Sequence, residues 1–184
     1  MVAKTRTTLE EYLCIPETKP YHELMDGEVY EKPMPSWNHG TLVAYLIQVL
    51  ANYLDRTREA NVVTEVRHVE QGEDWVFLPD VSVTRRARLP GRGPAERLVT
   101  VLPDLAIEVL SPDDRPGRLH RRIEHYLRAG VPLVWVIDPE EERVTVWRPG
   151  EPMASFAPPQ KLSAAPVLES FELDLEEMFA RVRE

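Results

Sequence analysis

The chain has 184 residues, of which 43% are hydrophobic and 29% charged, and its formal net charge is −9. That is the balance of a soluble globular protein with enough chain to bury a core. No apolar run approaches the roughly 18 residues of a membrane span, and so negative a chain is no general nucleic-acid coat, which needs a broadly basic surface. The single cysteine, Cys14, cannot form an internal disulfide, and Met1 to Glu11 lacks the apolar stretch of a signal peptide. Both features fit a cytoplasmic protein.

The charge is unevenly spread. From Arg85 to Arg128 ten bases face six acids, a local +4 that leaves −13 for the rest of the chain. All ten bases are Arg, whose planar fork grips phosphate or carboxylate with two prongs. Two readings stand, solvated arginines on helix and loop surfaces or a local phosphate-binding strip.

In chain order, Thr8 to Glu11 is a capping box opening a short helix, which Pro16 and Pro20 end. Asp26-Gly27 between two extended halves predicts a hairpin. Ser36 can cap a long helix with its apolar stripe at Leu42, Leu46, Val49, Leu50, Tyr53 and Leu54. Val62 to Glu70 predicts a strand, Gly72 to Asp74 a turn, and Trp75 to Thr84 a second strand interrupted at Pro79-Asp80. Residues 85–100, with two Pro and two Gly, read as a loop. Leu105 to Leu110 is the continuous apolar run of a central buried strand. A helix follows over about Asp114 to Arg128, with Gly130 at its C-terminal cap. Leu133 to Ile137 and Arg143 to Trp147 predict two more strands. Residues 149–166 hold five Pro without a period and read as an irregular arm. Asp174 to Val182 predicts a short capped helix. With no internal repeat and no second core, the expectation is one α/β domain over 1–184. Its core lies at about 9–148, followed by the arm and helix of 149–184.

Two carboxylates stand out. Asp80 in Val76-Phe-Leu-Pro-Asp-Val-Ser-Val83 and Glu108 in Leu105-Ala-Ile-Glu-Val-Leu110 are single acids in apolar strands. A buried carboxylate must find a cation, a metal or a proton. The period of two puts Asp80 on the face of Leu78 and Ser82, and Glu108 on that of Ala106 and Leu110. Val81, Val83, Ile107 and Val109 then face the core. On neighbouring strands the two acids converge. Such a pair suits Mg²⁺, which takes one or two protein carboxylates and leaves its other positions to water and substrate phosphate. The alternatives are structural acids bound by nearby Arg, or a carboxylate pair hydrolysing without metal, as glycosidases do.

Pro79-Asp80, then a gap of 27 residues, then Glu108-Val-Leu110 resembles the PD-(D/E)XK motif of the restriction-endonuclease-like superfamily. Within one branch, bacterial restriction endonucleases formerly catalogued as a domain of unknown function, the resemblance extends much further. It is carried by Glu23-Leu-Met-Asp-Gly-Glu28, Pro35-Ser-Trp-Asn-His39, Pro79-Asp-Val-Ser-Val83, Pro103-Asp-Leu-Ala-Ile-Glu-Val-Leu-Ser-Pro112, Tyr126-Leu-Arg-Ala-Gly-Val131 and Val134-Trp-Val-Ile-Asp-Pro139.

The resemblance implies a mixed central β-sheet flanked by helices with an N-terminal β-hairpin, Mg²⁺-dependent (or Mn²⁺-dependent) DNA cleavage and often a homodimer, with no membrane partner. It makes Asp80, Glu108 and the carbonyl of Val109 metal ligands. Glu28 matches a further acid, serving either an outer metal water or the sheet end. His39 matches a recurrent His that either touches phosphate or caps the helix. Arg118 and Arg121 are candidate phosphate contacts. The position two after Glu108 is Leu110 rather than Lys. The branch's lysine is displaced to the following helix, where this chain has Arg122. Arg cannot accept a proton from water, but it can hold phosphate and stabilise negative charge. Activity then rests on the metal to acidify the water, or is weakened to a binding role.

The remaining singled-out residues have plain readings. Trp37, Trp75, Trp135 and Trp147 read as core or strand-surface aromatics. His120 and His125, five apart, are poorly spaced for a shared metal. Cys14 has no basic neighbour in sequence to activate it.

Overall fold

The computed structural model describes residues 6–70, 72–89 and 99–183. Its centre is a six-stranded mixed sheet built from β3 (Ala60–Val63), β6 (Val81–Arg85), β7 (Leu105–Val109), β8 (Leu133–Asp138), β9 (Arg143–Trp147) and β10 (Ala154–Phe156), in the spatial order β10-β9-β8-β7-β6-β3. Only β7 and β8 run parallel, joined by the crossover helix α3 (Pro116–Arg128). The other pairs are antiparallel. This is the expected mixed sheet flanked by helices.

Alternation along β7 and β8 sorts the two faces. Leu105, Ile107, Val109, Leu133, Trp135 and Ile137 pack in the main core with Leu42, Leu46, Leu50 and Leu54 of α2 (Trp37–Thr57). Ala106, Val134 and Val136 pack on the opposite side with Ile123 and Tyr126 of α3. Ser36 caps α2 by accepting the His39 N–H, and four leucines at spacings of four bury one stripe of it.

The predicted hairpin is β1 (His22–Met25) and β2 (Glu28–Glu31), turned by Asp26 and Gly27 with φ of 51° and 73°. Positive φ at both positions is the hairpin turn whose twist matches the strands. Gly27 is required twice over, because a Cβ there would come 2.8 Å from Cβ of Arg6. Ahead of the hairpin, α1 (Leu9–Leu13) carries the expected reciprocal capping box between Thr8 and Glu11.

Three expectations are corrected. The strand expected at Val62 to Glu70 is split between β3 and β4 (His68–Val69), which lie in different sheets. Trp75 to Thr84 likewise divides into β5 (Val76–Phe77) and β6, with Leu78-Pro79-Asp80 as the joint. A second sheet, β2-β1-β5-β4, therefore stands beside the first. Two strands each change sheet, which a reading of local pattern treats as one interrupted run. Residues 149–166 are not an irregular arm. They contribute β10 to the edge of the main sheet and β11 (Lys161–Ser163), which pairs with β12 (Glu172–Asp174). Leu162, Ala164, Val167 and Leu168 are buried in the chain's own core beside α4 (Leu175–Ala180), the first two between Pro159 and Pro166 and the other two directly after Pro166.

Among the described residues no helix is long and apolar enough to cross a membrane. The loop expected at 85–100 begins with a short 3₁₀ turn over Arg86–Arg88, and its residues 90–98 lie outside the described residues.

Candidate active site

β6 and β7 are antiparallel neighbours with Val81 opposite Ile107, so one further step of register sets Asp80 opposite Glu108. Both acids are buried, at 3% and 2% exposure. The joint at Leu78-Pro79 swings Asp80 off the end of β6, where its Oδ2 accepts the Val109 N–H at 2.7 Å. His39 Nε2, from the first turn of α2, lies 3.1 Å from the same oxygen. Lys32, just past β2, places Nζ 2.7 Å from Oδ1 and donates to the Leu78 carbonyl, also at 2.7 Å. Lys32 thus holds Asp80 Oδ1 in a close, buried ion pair, while Oδ2 faces His39 and the Val109 N–H.

Glu108 faces the other way, toward α3. Tyr126 OH donates to its Oε1 at 2.7 Å and Arg122 Nη1 to its Oε2 at 2.8 Å. The other arm of Arg122 reaches Glu23 of β1 at 2.5 Å. The remaining Glu23 oxygen accepts the Leu78 N–H at 2.9 Å. Glu23 and Arg122 are both buried. Three carboxylates thus meet two permanent cations.

Electrostatics separates the two acids. Burial pushes Asp80 up, but Lys32 and His39 outweigh it and hold the carboxyl well below the usual carboxylate range. Burial pushes Glu108 up to about 7, with Arg122 pulling down and the Asp80 charge pushing further up. Burial would lower Lys32, yet Asp80, Glu108 and Glu23 raise it above its ordinary value. Burial opposes the charge of Arg122 as well, and Glu108 and Glu23 more than restore it. Both cations therefore stay charged at neutral pH.

The cleft over these groups is lined by Lys32, His39, Asp80, Glu108, Val109 and Arg122, with Leu110, Ser111 and Asp114 at its mouth, and holds about 20 Å³ of free space. That is room for about one water-sized body. The donor chemistry fits a hard cation, with the carboxylates of Asp80 and Glu108 both lining an ion-sized void. Asp80 and Glu108 are the residues that would hold it. Among the described residues no cluster of three or more His, Cys, Asp or Glu side chains has metal-ligating geometry. The remaining positions would fall to water, phosphate and backbone oxygen, as for Mg²⁺ generally.

Asp80, Glu108, Val109, Arg122 and His39 are thus brought together. His39 does not cap α2 with its side chain, since Ser36 does that; its ring turns inward to Asp80. Glu28 lies on β2 in contact with the Tyr30 hydroxyl and is not among the residues lining the cleft. Arg121 pairs with Asp26 at 2.9 Å, and Arg118 lies over the Tyr30 ring at 4.4 Å, so both brace the hairpin. Trp37 is corrected outright. It is the first residue of α2, off the buried stripe, and is 87% exposed. Reading the sequence missed Glu23, Lys32 and Tyr126. Glu23 and Tyr126 lay inside quoted motifs without a role. The signal at Lys32 was its rarity, as one of only four lysines in the chain.

A mixed sheet with two acids side by side on adjacent antiparallel strands, backed by a cation from the crossover helix and another from beside the hairpin, has the architecture of a nuclease fold. The Uma2 family, described as putative restriction endonucleases, matches residues 9–176, and the chain belongs to that family. A putative nuclease of DUF820 from Anabaena variabilis superposes with a TM-score of 0.87 at 31% identity, over 95% of this chain and 98% of that one. A far looser likeness, to a DrdV–DNA complex, has a TM-score of 0.37 at 14% identity over 76% of this chain and 10% of that one, too low to establish a shared fold. Among curated proteins no relative matches this chain.

Proposed function

We propose that this chain is a Mg²⁺- or Mn²⁺-dependent endonuclease that hydrolyses DNA phosphodiester bonds. The observation that carries the reading is the register of β6 and β7, which sets Asp80 and Glu108 side by side at an ion-sized void. When bound there, the metal supplies an acidified water and charge neutralisation at the phosphate.

The chain's own residues supply the rest. Tyr126 and Arg122 fix both oxygens of Glu108, and the Val109 N–H with His39 fixes one oxygen of Asp80. The site is therefore rigid before substrate arrives. Hydrolysis adds water across the bond: oxygen goes to phosphorus and a proton to the leaving oxygen. Neither Arg122 nor Lys32 can take the water's proton, since both are charged. Lys32 is the cation with freedom to move, because its four-carbon stem can swing the ammonium from Asp80 to a phosphate oxygen. Arg122 is clamped by two carboxylates and acts as a positioning residue for Glu108.

The test is Mn²⁺ titration with nicking of supercoiled DNA, in wild type and Asp80→Asn. Binding and nicking should both be lost in the variant; unchanged titration sinks the metal site, and nicking that persists in excess chelator favours metal-free hydrolysis. The clamped Arg122 also supports a second reading, a module of weakened turnover that binds nucleic acid or a protein partner. Arg122→Lys separates the two, since nicking that appears only in this variant supports the weakened module. A cytoplasmic homodimer remains part of the proposal, and light scattering tests its assembly.

A further inference from the structure

The carboxylate cleft is small, but beside it the surface opens. Leu110 and Ser111 line the cleft and also a cavity of about 420 Å³, whose facing walls include Trp37, Asn38, Asp138 and Glu140. On the helix side a second hollow of about 470 Å³ shares the same Trp37 and is bounded by Gly40, Thr41 and Ala44. A Cβ added at Gly40 would meet nothing within 4 Å, so this hollow has space to spare. Trp37 is 87% exposed, a costly placement for the largest apolar side chain unless something covers it.

The chemistry of the walls narrows what that is. No Lys or Arg lines either hollow, so neither is built for a phosphate. The first offers acceptors at Glu140, Asn38 and the second oxygen of Asp138, whose Oδ1 already takes the Glu140 and Glu141 N–H groups, suited to a neutral ligand that donates N–H groups. A flat heterocycle with an exocyclic amine, next to a site for backbone phosphate, meets each condition.

We propose that Trp37 is a stacking post for unpaired bases of the strand whose phosphate lies at Asp80 and Glu108, so the substrate is DNA that is single-stranded or locally opened at the cleavage point. The inference rests on the nuclease reading and adds a substrate class to it. A closed duplex hides the faces of its bases in the stack and cannot cover the indole this way. Stacking on an aromatic side chain tolerates any base, so the post selects for strandedness rather than sequence.

The test is fluorescence anisotropy in Ca²⁺ with a labelled oligodeoxycytidylate, whose bases carry the exocyclic amine, and with the same strand annealed to its complement. Wild type should bind the single strand more tightly. Trp37→Ala should lose about tenfold or more on the single strand and little on the duplex, and Trp37→Phe should recover most of the loss. Unchanged single-strand affinity in Trp37→Ala, or a wild-type preference for duplex, overturns the proposal. So does dissociation of an oligomer on Trp37→Ala by light scattering, which would assign the indole to a contact between copies. In those cases metal-dependent nicking survives. Failure of the nuclease reading looks different: wild type then binds neither DNA form and cuts neither with Mn²⁺.

Discussion

Arg122 holds two buried carboxylates, Glu23 and Glu108, in its two arms and is itself nearly sealed from water. Arg122→Met leaves both acids without their cation, a loss that costs about 3–5 kcal/mol when a buried pair is broken. Glu108, already pushed up to about 7, can limit the damage by taking a proton, so urea denaturation at neutral pH should show about 3 kcal/mol. Lys32 has the opposite relation to the metal reading. Its ammonium sits 2.7 Å from Asp80 Oδ1, where an added cation must compete with it. Lys32→Met should therefore raise Mn²⁺ affinity by about tenfold, the scale of one charge-assisted contact, while lowering cleavage. Calorimetric titration checks the first effect, and weaker Mn²⁺ binding in the variant would refute the competition. Asp80 and Glu108 were legible in sequence because each is a single acid set in an apolar strand, and Arg122 only through the resemblance, at the position of the branch's lysine. Glu23 and Lys32 were not, since they reach the site only because the hairpin folds its second sheet against α3, and nothing local to β1 or β2 encodes that approach.

At the scale of elements, the joint between the sheets depends on one buried histidine. His68 of β4 donates from Nδ1 to the Val101 carbonyl at 2.9 Å, and its Nε2, 3.0 Å from Ser82 Oγ, accepts from that hydroxyl. It ties β4 to β6 across the sheet boundary. Burial lowers its pKa from the ordinary 6.5, the Val101 carbonyl opposing weakly. The sign follows: below 6.5 the unfolded chain binds a proton that the folded chain refuses, so this contribution is present above 6.5 and is lost as pH falls toward the depressed folded value. His68→Gln removes the titration while keeping polar atoms. Its stability deficit, measured by urea unfolding, should be larger at about pH 7.5 than at about pH 5. A deficit independent of pH would show that His68 is not held neutral. Helices were legible from period and cap: the Ser36 cap, the leucine stripe and the glycine after α3, with φ of 86°, all stand where expected. The exchange of strands between sheets was not, because β3 with β4 and β5 with β6 each read locally as one strand with an interruption, and nothing local marks the change of partner.

For the whole molecule the charge of −9 matters less than where the arginines go. Of the ten from Arg85 to Arg128, Arg92 and Arg97 lie outside the described residues. The Arg85 guanidinium donates to the Val167 and Pro166 carbonyls, Arg88 binds Asp104, Arg86 binds Asn61, and Arg128 binds His125. Arg122 is buried in the site, and Arg118 and Arg121 brace the hairpin. Arg115, exposed at the N-terminus of α3, has no such engagement among the described contacts. Most of these guanidiniums are thus engaged within the fold, so they stand neither as solvated surface arginines nor as a free phosphate-binding strip. Binding to DNA must then rest on few phosphate contacts, the metal and stacking. Each phosphate contact contributes about −0.7 to the slope of log affinity against log salt for a single strand, so two or three contacts give a slope near −2. Anisotropy titrations across a series of KCl concentrations in Ca²⁺ should return that shallow slope, and chelator should abolish most of the binding at any salt. A slope of about −6, insensitive to chelator, would mean that a broad basic surface, and not the carboxylate site, holds the nucleic acid.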